Sequence, residues 1–228
     1  MGLSDFRNSI GRASQTLPNV DVDFEQACLW LLTEAFKRMK QDAIYNPIWK
    51  ETRFSAHLVG YMQKIRKQED LRLRIDPESY LYREEILQGL EDPDAAPRID
   101  IKISGGWVYE DIYYGIEGKI LVETDWQTRR EYGLRARYID TGIDNFVNGR
   151  YSPEVPRGCV VGYVVQGDTF NIGQRINDLL LHRGRNDESL KNRHSINSCS
   201  DCYQSVHIRT ADKKKLELYH VHLSFVGS

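Results

Sequence analysis

The sequence predicts an α/β protein in which helices flank a central mixed β-sheet. Three observations lead to this fold class. Apolar residues recur at three- and four-residue steps from Asp23 and again from Lys50, as in amphipathic helices. Alternating apolar residues indicate two strands between 97 and 123. A continuous apolar run at 159–165 is typical of a strand buried on both faces in the middle of a helix-covered sheet.

The composition is that of a soluble globular protein. The chain has 228 residues, of which 40% are hydrophobic and 28% are charged, and this length is sufficient for one large domain. We expect a single domain over 1–228, with an N-terminal arm and helix (1–45), a core (46–183), and a C-terminal loop and hairpin (184–228). The sequence contains no run of about eighteen apolar residues, so no membrane span is predicted. The absence of a signal-like apolar segment and the four irregularly spaced cysteines favour the cytoplasm.

The charge balance limits how the protein can bind nucleic acid. The formal net charge is -2 and the sequence pI is about 6.3. A protein that binds nucleic acid alone usually carries a surplus of basic residues. Any binding of DNA is therefore expected to come from local basic patches or from a partner subunit.

The N-terminal part is predicted to consist of a loose arm and two helices. Residues 1–20 mix small, polar and turn-forming residues, and the first helix is expected from Asp23 to about 40–43. Asn46-Pro47 interrupts the chain, and a second helix should run over 50–67. A strand is predicted at 71–76. Residues 80–90 are compatible with a strand or a short helix, and their pattern leaves the choice open.

The two strands between 97 and 123 place charged residues on one side of the predicted sheet. Side chains of a strand alternate between its two faces. The apolar residues are therefore expected to share a buried face: Ile99, Ile101, Ile103, Ile112, Tyr114, Ile116, Ile120 and Val122. Ser104-Gly105-Gly106 is the predicted turn. Asp100, Glu117 and Lys119 are expected on the opposite face.

The remaining chain predicts a helix over 125–148, the buried strand, a second helix from Asp168 or Thr169 to about Arg183, and a mobile loop over 184–200. A terminal hairpin follows. In it Val206 and Ile208 should share one face, while His207, Arg209, His220 and His222 lie on another, with His207 near His220.

Two carboxylates and an ammonium group on neighbouring strands have a chemical use. Carboxylates held close together repel each other and resist ionisation. A divalent cation relieves this conflict, and Mg²⁺ is commonly held by one or two carboxylates with water and substrate phosphate. A metal-bound water is acidic enough to attack phosphorus, and a nearby lysine can orient it or neutralise charge on the phosphate.

These residues carry a family resemblance. Asp100, sixteen intervening residues, and then Glu117-Gly118-Lys119 resemble the signature of the PD-(D/E)xK nuclease superfamily, which has the restriction-endonuclease-like fold. The resemblance covers roughly 45–183, where the order helix, three strands, helix, strand is expected. The literal Pro93-Asp94 pair lies in a segment of loop composition, so Asp100 is assigned as the signature acid.

The resemblance implies a set of residue roles. Asp100, Glu117 and the Gly118 carbonyl would bind Mg²⁺ or Mn²⁺, and Lys119 would position the attacking water. The first core helix often adds an acid, for which Glu51 is the best match and Glu34 the second choice. The implied activity is hydrolysis of DNA phosphodiester bonds to leave a 5′-phosphate. Endonuclease action is favoured over exonuclease action, and the sequence leaves the choice open.

The expected nucleic-acid surface contains basic residues from two segments. An arginine cluster on the helix after the second strand would meet phosphates, and the terminal hairpin could contact the substrate backbone. The candidates are Arg129, Arg130, Arg135, Arg137, His207 and Arg209. Size and charge favour a restriction or antiphage defence component that acts with partner subunits or as a homo-oligomer.

Several alternatives remain open at this point. Asp100, Glu117 and Lys119 could form ordinary cross-strand ion pairs, Glu51 could be a first-turn acid favoured by the helix dipole, and the arginines could lie on a solvated helix face. The protein could instead be a non-catalytic scaffold on the same fold or a nuclease that prefers RNA. A small zinc-binding protein would use His194, Cys199, Cys202 and His207, but the compact spacing argues against zinc.

Overall fold

In this computed structural model the described residues are 17–227, apart from 83, 91, 93, 95, 106–112, 152–156 and 193–200. Seven strands form one mixed β-sheet, and helices cover both of its faces. The α/β class is therefore confirmed. None of the described helices has the length and apolar character needed to cross a membrane.

Two long helices precede the sheet. Helix α1 covers Leu17–Gln41 and begins before the predicted Asp23, so the end of the expected arm is helical. The rest of that arm, 1–16, lies outside the described residues. Helix α2 covers Glu51–Gln68 and confirms the second predicted helix to within one residue at each end.

The sheet has the spatial order β1-β2-β3-β4-β7-β6-β5. Neighbours are antiparallel from β1 to β3, parallel from β3 through β4 to β7, and antiparallel from β7 to β5. The C-terminal hairpin therefore extends the same sheet as the central hairpin. The strands are β1 (Leu73–Tyr80), β2 (Arg98–Gly105), β3 (Tyr113–Val122), β4 (Arg157–Gln166), β5 (Lys191–Asn192), β6 (Cys202–Ile208) and β7 (Lys215–Ser224).

The helices between strands differ in length from the predictions. The ambiguous segment at 80–90 contains a short helix, α3 (Glu84–Leu87). The helix predicted over 125–148 begins later, as α4 (Glu131–Arg137), and continues through a π-helical turn (Tyr138–Ile143) into α5 (Asp144–Val147). Helix α6 (Thr169–His182) begins after Asp168, whose side chain accepts a hydrogen bond from the Asn171 amide. A 3₁₀ turn covers Asn186–Glu188.

Each face of the sheet packs against its own helical layer. The apolar faces of α1 and α2 meet one side, and the π-helical turn, α5 and α6 meet the other. Every residue of β3 is consequently buried, and β4 is buried over 158–165, as its apolar run predicts. Glu117 and Lys119 lie on the face opposite the apolar set, as predicted, but that face is under the second helical layer, so both side chains are buried.

The alternation of β2 breaks at Asp100. Ile101 and Ile103 pack in the α1–α2 layer, whereas Ile99 packs in the opposite layer, so the prediction that all three share a face is wrong. The β2–β3 pairing likewise ends at Ile101↔Ile116. Across β1, Glu78 has a left-handed φ of 44°, unusual for a residue with a side chain. The two strands are thus irregular at the same level. Gly106 of the predicted turn and Ile112 lie outside the described residues.

The C-terminal hairpin confirms the predicted alternation of side chains between two faces. Its polar residues, however, are buried. Tyr203 pairs with His220 and His207 pairs with Leu216, and both histidines lie on the face that packs against the second helical layer. His207, Arg209, His220 and His222 are buried, whereas Val206 and Ile208 are exposed. The expected exposed polar face is therefore wrong, since α6 and the 3₁₀ turn cover it.

Candidate functional site

Asp100 and Glu117 meet around the backbone of Gly118. The Oδ2 atom of Asp100 accepts a hydrogen bond from the Gly118 amide at 2.8 Å. This side-chain bond occurs where the regular β2–β3 pairing has ended. The charge of Asp100 also raises the pKa of Glu117, second to burial as a cause. The two carboxyl groups therefore act on each other electrostatically from adjoining strands.

Packing requires glycine at position 118. A Cβ atom there would lie 2.6 Å from Cε2 of the Tyr163 ring, well inside contact distance. Tyr163 is buried, and its hydroxyl is 2.8 Å from Oγ of Ser55 on α2. The absence of a side chain at Gly118 leaves room for the Tyr163 ring between β3 and α2. The glycine of the sequence motif thus has a structural reason of its own.

Glu117 is a buried carboxyl group that is only partly hydrogen-bonded. It is 5% exposed, and its Oε1 atom accepts a hydrogen bond from Nζ of Lys119. Its Oε2 atom is buried and has no hydrogen-bond partner among the described residues. Burial and then the Asp100 charge raise the pKa of Glu117 to about 7, although Lys119 and the nearby Tyr151 hydroxyl favour the ionised form. Burial likewise raises the pKa of Asp100.

Lys119 lies between the sheet and the π-helical turn. A Cβ atom on Gly142 would lie 3.7 Å from Cγ and 4.0 Å from Cε of Lys119, and 3.1 Å from Cγ1 of Val160. The turn therefore holds the lysine stem in place from above. Single π-helical turns within α-helices often occur at functional sites. No motif predicts this role for Gly142, although a glycine inside a helical pattern is itself a signal of close packing.

Glu51 reaches β3 from the first turn of α2. Its Oε1 atom accepts a hydrogen bond from the Ile120 amide at 3.2 Å, and its Oε2 atom accepts one from Arg137 at 3.0 Å. The charge of Glu51 contributes to the raised pKa of Asp100. Glu51 is thus near the carboxylate pair, but both of its oxygens are engaged. The second choice, Glu34, pairs with Arg38 of its own helix at 3.1 Å.

The acidic residues offer a donor set for a hard cation but form no complete cage. Among the described residues no group of three or more His, Cys, Asp or Glu side chains is placed to hold a metal. Asp100 and Glu117 supply carboxylate oxygens, one of them buried without a partner. Since Mg²⁺ keeps several waters and needs only one or two carboxylates, the pair fits such an ion. Asp94 is exposed in the loop before β2, and Pro93 lies outside the described residues.

The four helix arginines do not form one surface. Arg129 donates to the carbonyls of Pro47 and Trp49, which fixes the start of α2, and burial lowers the pKa of its guanidinium. Arg135 pairs with Glu131 at 3.2 Å and is largely covered. Arg130 and Arg137 are mostly exposed, and Arg137, at 56%, lies beside the site through its bond to Glu51. The exposed positive charge is therefore smaller than the sequence suggests.

His207 and Arg209 are unsuited to contact a substrate as placed, because each is 1% exposed. His207 bonds through Nδ1 to Oε2 of Glu188, and its Nε2 atom lies 2.6 Å from Oγ of Ser205. The same Ser205 oxygen is 2.7 Å from Nε2 of His220. The expected proximity of the two histidines thus exists, but inside the protein.

Two of the four candidate zinc ligands, Cys202 and His207, lie among the described residues. His194 and Cys199 lie outside the described residues. Cys202 is buried in β6, and His207 is engaged by Ser205 and Glu188. These two residues point to structural roles in the hairpin.

Comparisons with protein-family models, with curated proteins and with solved structures found no match to this chain.

Proposed function

We propose that this chain is a Mg²⁺- or Mn²⁺-dependent nuclease of the PD-(D/E)xK type that hydrolyses DNA phosphodiester bonds. The observation that carries the proposal is the unbalanced charge cluster at Gly118. Two carboxyl groups with raised pKa values share a largely buried site with one lysine, and one carboxylate oxygen has no well-aligned hydrogen-bond partner among the described residues, although the Tyr151 hydroxyl is near. Such perturbed groups concentrate at functional sites.

The order of elements supports the same proposal. Helix α2 is followed by the antiparallel strands β1, β2 and β3, then by the helical segment from α4 to α5, and then by β4 parallel to β3. This is the order expected of the superfamily core. The acids also lie on the second and third strands of this unit, as its signature requires.

In this proposal Asp100, Glu117 and the Gly118 carbonyl hold the metal ion. When bound, Mg²⁺ would acidify a water molecule and neutralise charge on the scissile phosphate. Glu51 has a supporting role, because its hydrogen bonds fix the Ile120 amide and the Arg137 side chain at the edge of the site. Arg137 is the one predicted arginine beside the site with substantial exposure.

Lys119 is the proposed catalytic cation. It holds a positive charge beside Glu117 in a site from which water is largely excluded, and charge stabilisation is strong in such surroundings. There it would orient the attacking water and stabilise negative charge that develops on a phosphate oxygen.

The small exposed basic surface and the net charge of -2 favour action with a partner subunit or as a homo-oligomer. A restriction or antiphage defence role is the biological setting that we propose. The contrasting possibility is a scaffold without catalysis, in which Glu117 and Lys119 form only a buried ion pair.

Cleavage assays separate these two functions. Purified protein, with any co-purifying partner, should cut DNA with Mg²⁺ or Mn²⁺ and stop with EDTA. Lys119→Ala should fold and lose at least about a hundredfold in rate, since it removes charge stabilisation at the reacting phosphate. Asp100→Ala should be equally impaired, whereas the control Asp94→Ala should cut normally. Wild type that cuts no DNA with either ion would support the scaffold, whereas equal cleavage by Lys119→Ala and wild type would remove the proposed role of Lys119.

A further inference from the structure

Two exposed tyrosines lie at the end of β1, the edge strand that pairs with the strand of Asp100. Tyr80 ends β1 and is 50% exposed, and Tyr82 follows it at 52%. Their rings are stacked, with centroids 6.1 Å apart and planes inclined by only 22°. About half of each side chain is therefore open to solvent, and this stacked pair is here called the tyrosine platform.

The pairing of β1 with β2 fixes the position of this platform. Tyr80 pairs with Arg98, which lies two residues from Asp100 on the same strand. At about 3.3 Å per residue, the strand distance from Arg98 to Asp100 is about 7 Å. Glu78, also close by, contributes to the raised pKa of Asp100. Tyr80 thus lies on the strand next to that of Asp100, two residue positions further along the sheet.

We propose that Tyr80 and Tyr82 stack against unpaired nucleobases next to the scissile phosphate, so that the substrate is single-stranded or locally unpaired nucleic acid. This inference rests on the proposed function and names its substrate class.

The chemistry of the platform selects unpaired bases. In a duplex the base faces are hidden in the stack, and only base edges are open in the grooves. An aromatic platform can therefore use its rings only on bases that have left the duplex. Stacking does not depend on the base sequence, because every base has an aromatic face, and the stacking contact itself needs little charge. It thus suits a chain of net charge -2 better than extensive phosphate binding does.

Arg98 gives the platform one cationic group for the backbone. It is nearly half exposed, and its contact with Glu78 is long, at 3.8 Å. A weak exposed pair of this kind is easily exchanged for a phosphate. Leu87 and Leu90 are also exposed on the chain that follows, which makes a protein partner the competing occupant.

Binding measured in EDTA tests this inference separately from cleavage. A labelled single-stranded oligothymidine and a blunt duplex of mixed sequence are titrated with protein, and fluorescence anisotropy is recorded. Wild type should prefer the single strand. Tyr80→Ala and Tyr82→Ala should each weaken single-strand binding by about tenfold, a usual value for loss of one stacking partner. Duplex binding should remain unchanged in both variants.

Matched variants identify the cause. Tyr80→Phe and Tyr82→Phe keep the ring and should bind as wild type does. Phe170→Ala removes an equally exposed aromatic residue from α6 and should have no effect. Unchanged single-strand binding in the Tyr80→Ala/Tyr82→Ala double variant would overturn the inference. If the double variant binds single strands as wild type does but sediments differently, the platform is assigned to a protein interface.

The two proposals fail in different ways. Tyrosine-dependent binding without any Mg²⁺-dependent cleavage supports the platform and contradicts the nuclease. If the protein cuts DNA but its single-strand binding does not depend on Tyr80 and Tyr82, the nuclease is supported and the platform is contradicted.

Discussion

Two buried polar clusters lie in the same sheet, and they are built in opposite ways. The histidine cluster consists of Ser205, His207 and His220. In it Ser205 contacts both rings, His207 also contacts Glu188, and His220 Nδ1 lies 2.9 Å from the Tyr138 hydroxyl. The acidic cluster consists of Asp100, Glu117 and Lys119, and it leaves a buried carboxylate oxygen without a partner among the described residues.

The two clusters shift carboxyl groups in opposite directions. Burial, followed by the charge of Asp100, raises the pKa of Glu117 to about 7. Burial would raise the pKa of Glu188 as well. Hydrogen bonds from His207 and Arg185 outweigh burial and lower this pKa to about 2. A closed network stabilises the folded chain, whereas an open one holds a charge conflict that a bound cation can relieve. The histidine cluster therefore has the features of a structural network, and the acidic cluster is where the proposed function places its chemistry.

Breaking the closed cluster should have the largest effect on stability. His207→Leu leaves Glu188 and Ser205 without their central partner. We expect a loss in the free energy of unfolding of about 4 kcal/mol, measured by urea denaturation, because two largely buried hydrogen bonds are lost and their partners are left unsatisfied. His182→Leu, an exposed histidine at the end of α6, is the control and should change stability little. A small effect of His207→Leu would show that the network contributes little to folding.

Glu117→Gln should change the pH dependence of stability. The folded pKa of Glu117 is about 7, above its ordinary 4.5, so the folded state binds its proton more tightly than the unfolded state does. Wild-type stability from this group is present below pH 4.5 and is lost as the pH rises through 7. The loss should be about 3 kcal/mol between these limits, and Glu117→Gln should remove it. Thermal unfolding at several pH values would measure the difference.

Glu188→Gln should produce the opposite pH dependence. The folded pKa of Glu188 is about 2, below its ordinary 4.5, so its contribution is present above pH 4.5 and is lost as the pH falls towards 2. We expect this variant to be destabilised by about 2 kcal/mol at pH 7, after allowance for its partial exposure, and to approach wild type in acid. Parallel pH profiles for the two glutamine variants would contradict the contrast between the clusters.

Arg137→Ala should have the smallest effect on stability. Its bond to Glu51 joins a mostly exposed arginine to the site. Exposed ion pairs contribute at most about 1 kcal/mol, so urea denaturation should show a change within that limit. Under the proposed function the same variant should weaken DNA binding, whereas the control Arg150→Ala should not. A loss of stability well above that limit would show that Glu51 and Arg137 hold the fold together.

The sequence predicted the secondary-structure elements better than it predicted which faces of the sheet the helices cover. The alternation in β3, the buried β4 and the limits of α2 all follow from periodicity. Periodicity describes one element at a time, so it could not show that helices cover both faces of the sheet. The alternation consequently could not show that the polar faces bearing Glu117 and His207 are buried.

Local irregularities were equally hidden. The left-handed Glu78 and the change of face at Ile99 break a regular ladder at the level of Asp100. Nothing in the alternation of β2 signals this break. The support of Lys119 by Gly142 joins residues far apart in the chain, as does the contact of Glu51 with the Ile120 amide. Such partners depend on tertiary packing, which a single sequence does not display.

Titration with Mn²⁺ or Mg²⁺ at pH 8, followed by calorimetry, tests the shared cation site most directly. Wild type should bind one ion per chain. Asp100→Asn and Glu117→Gln should each weaken binding by at least about tenfold, because each removes one of two charged oxygen ligands. Asp94→Asn should bind as wild type does. Equal affinity in wild type, Asp100→Asn and Glu117→Gln would contradict the account.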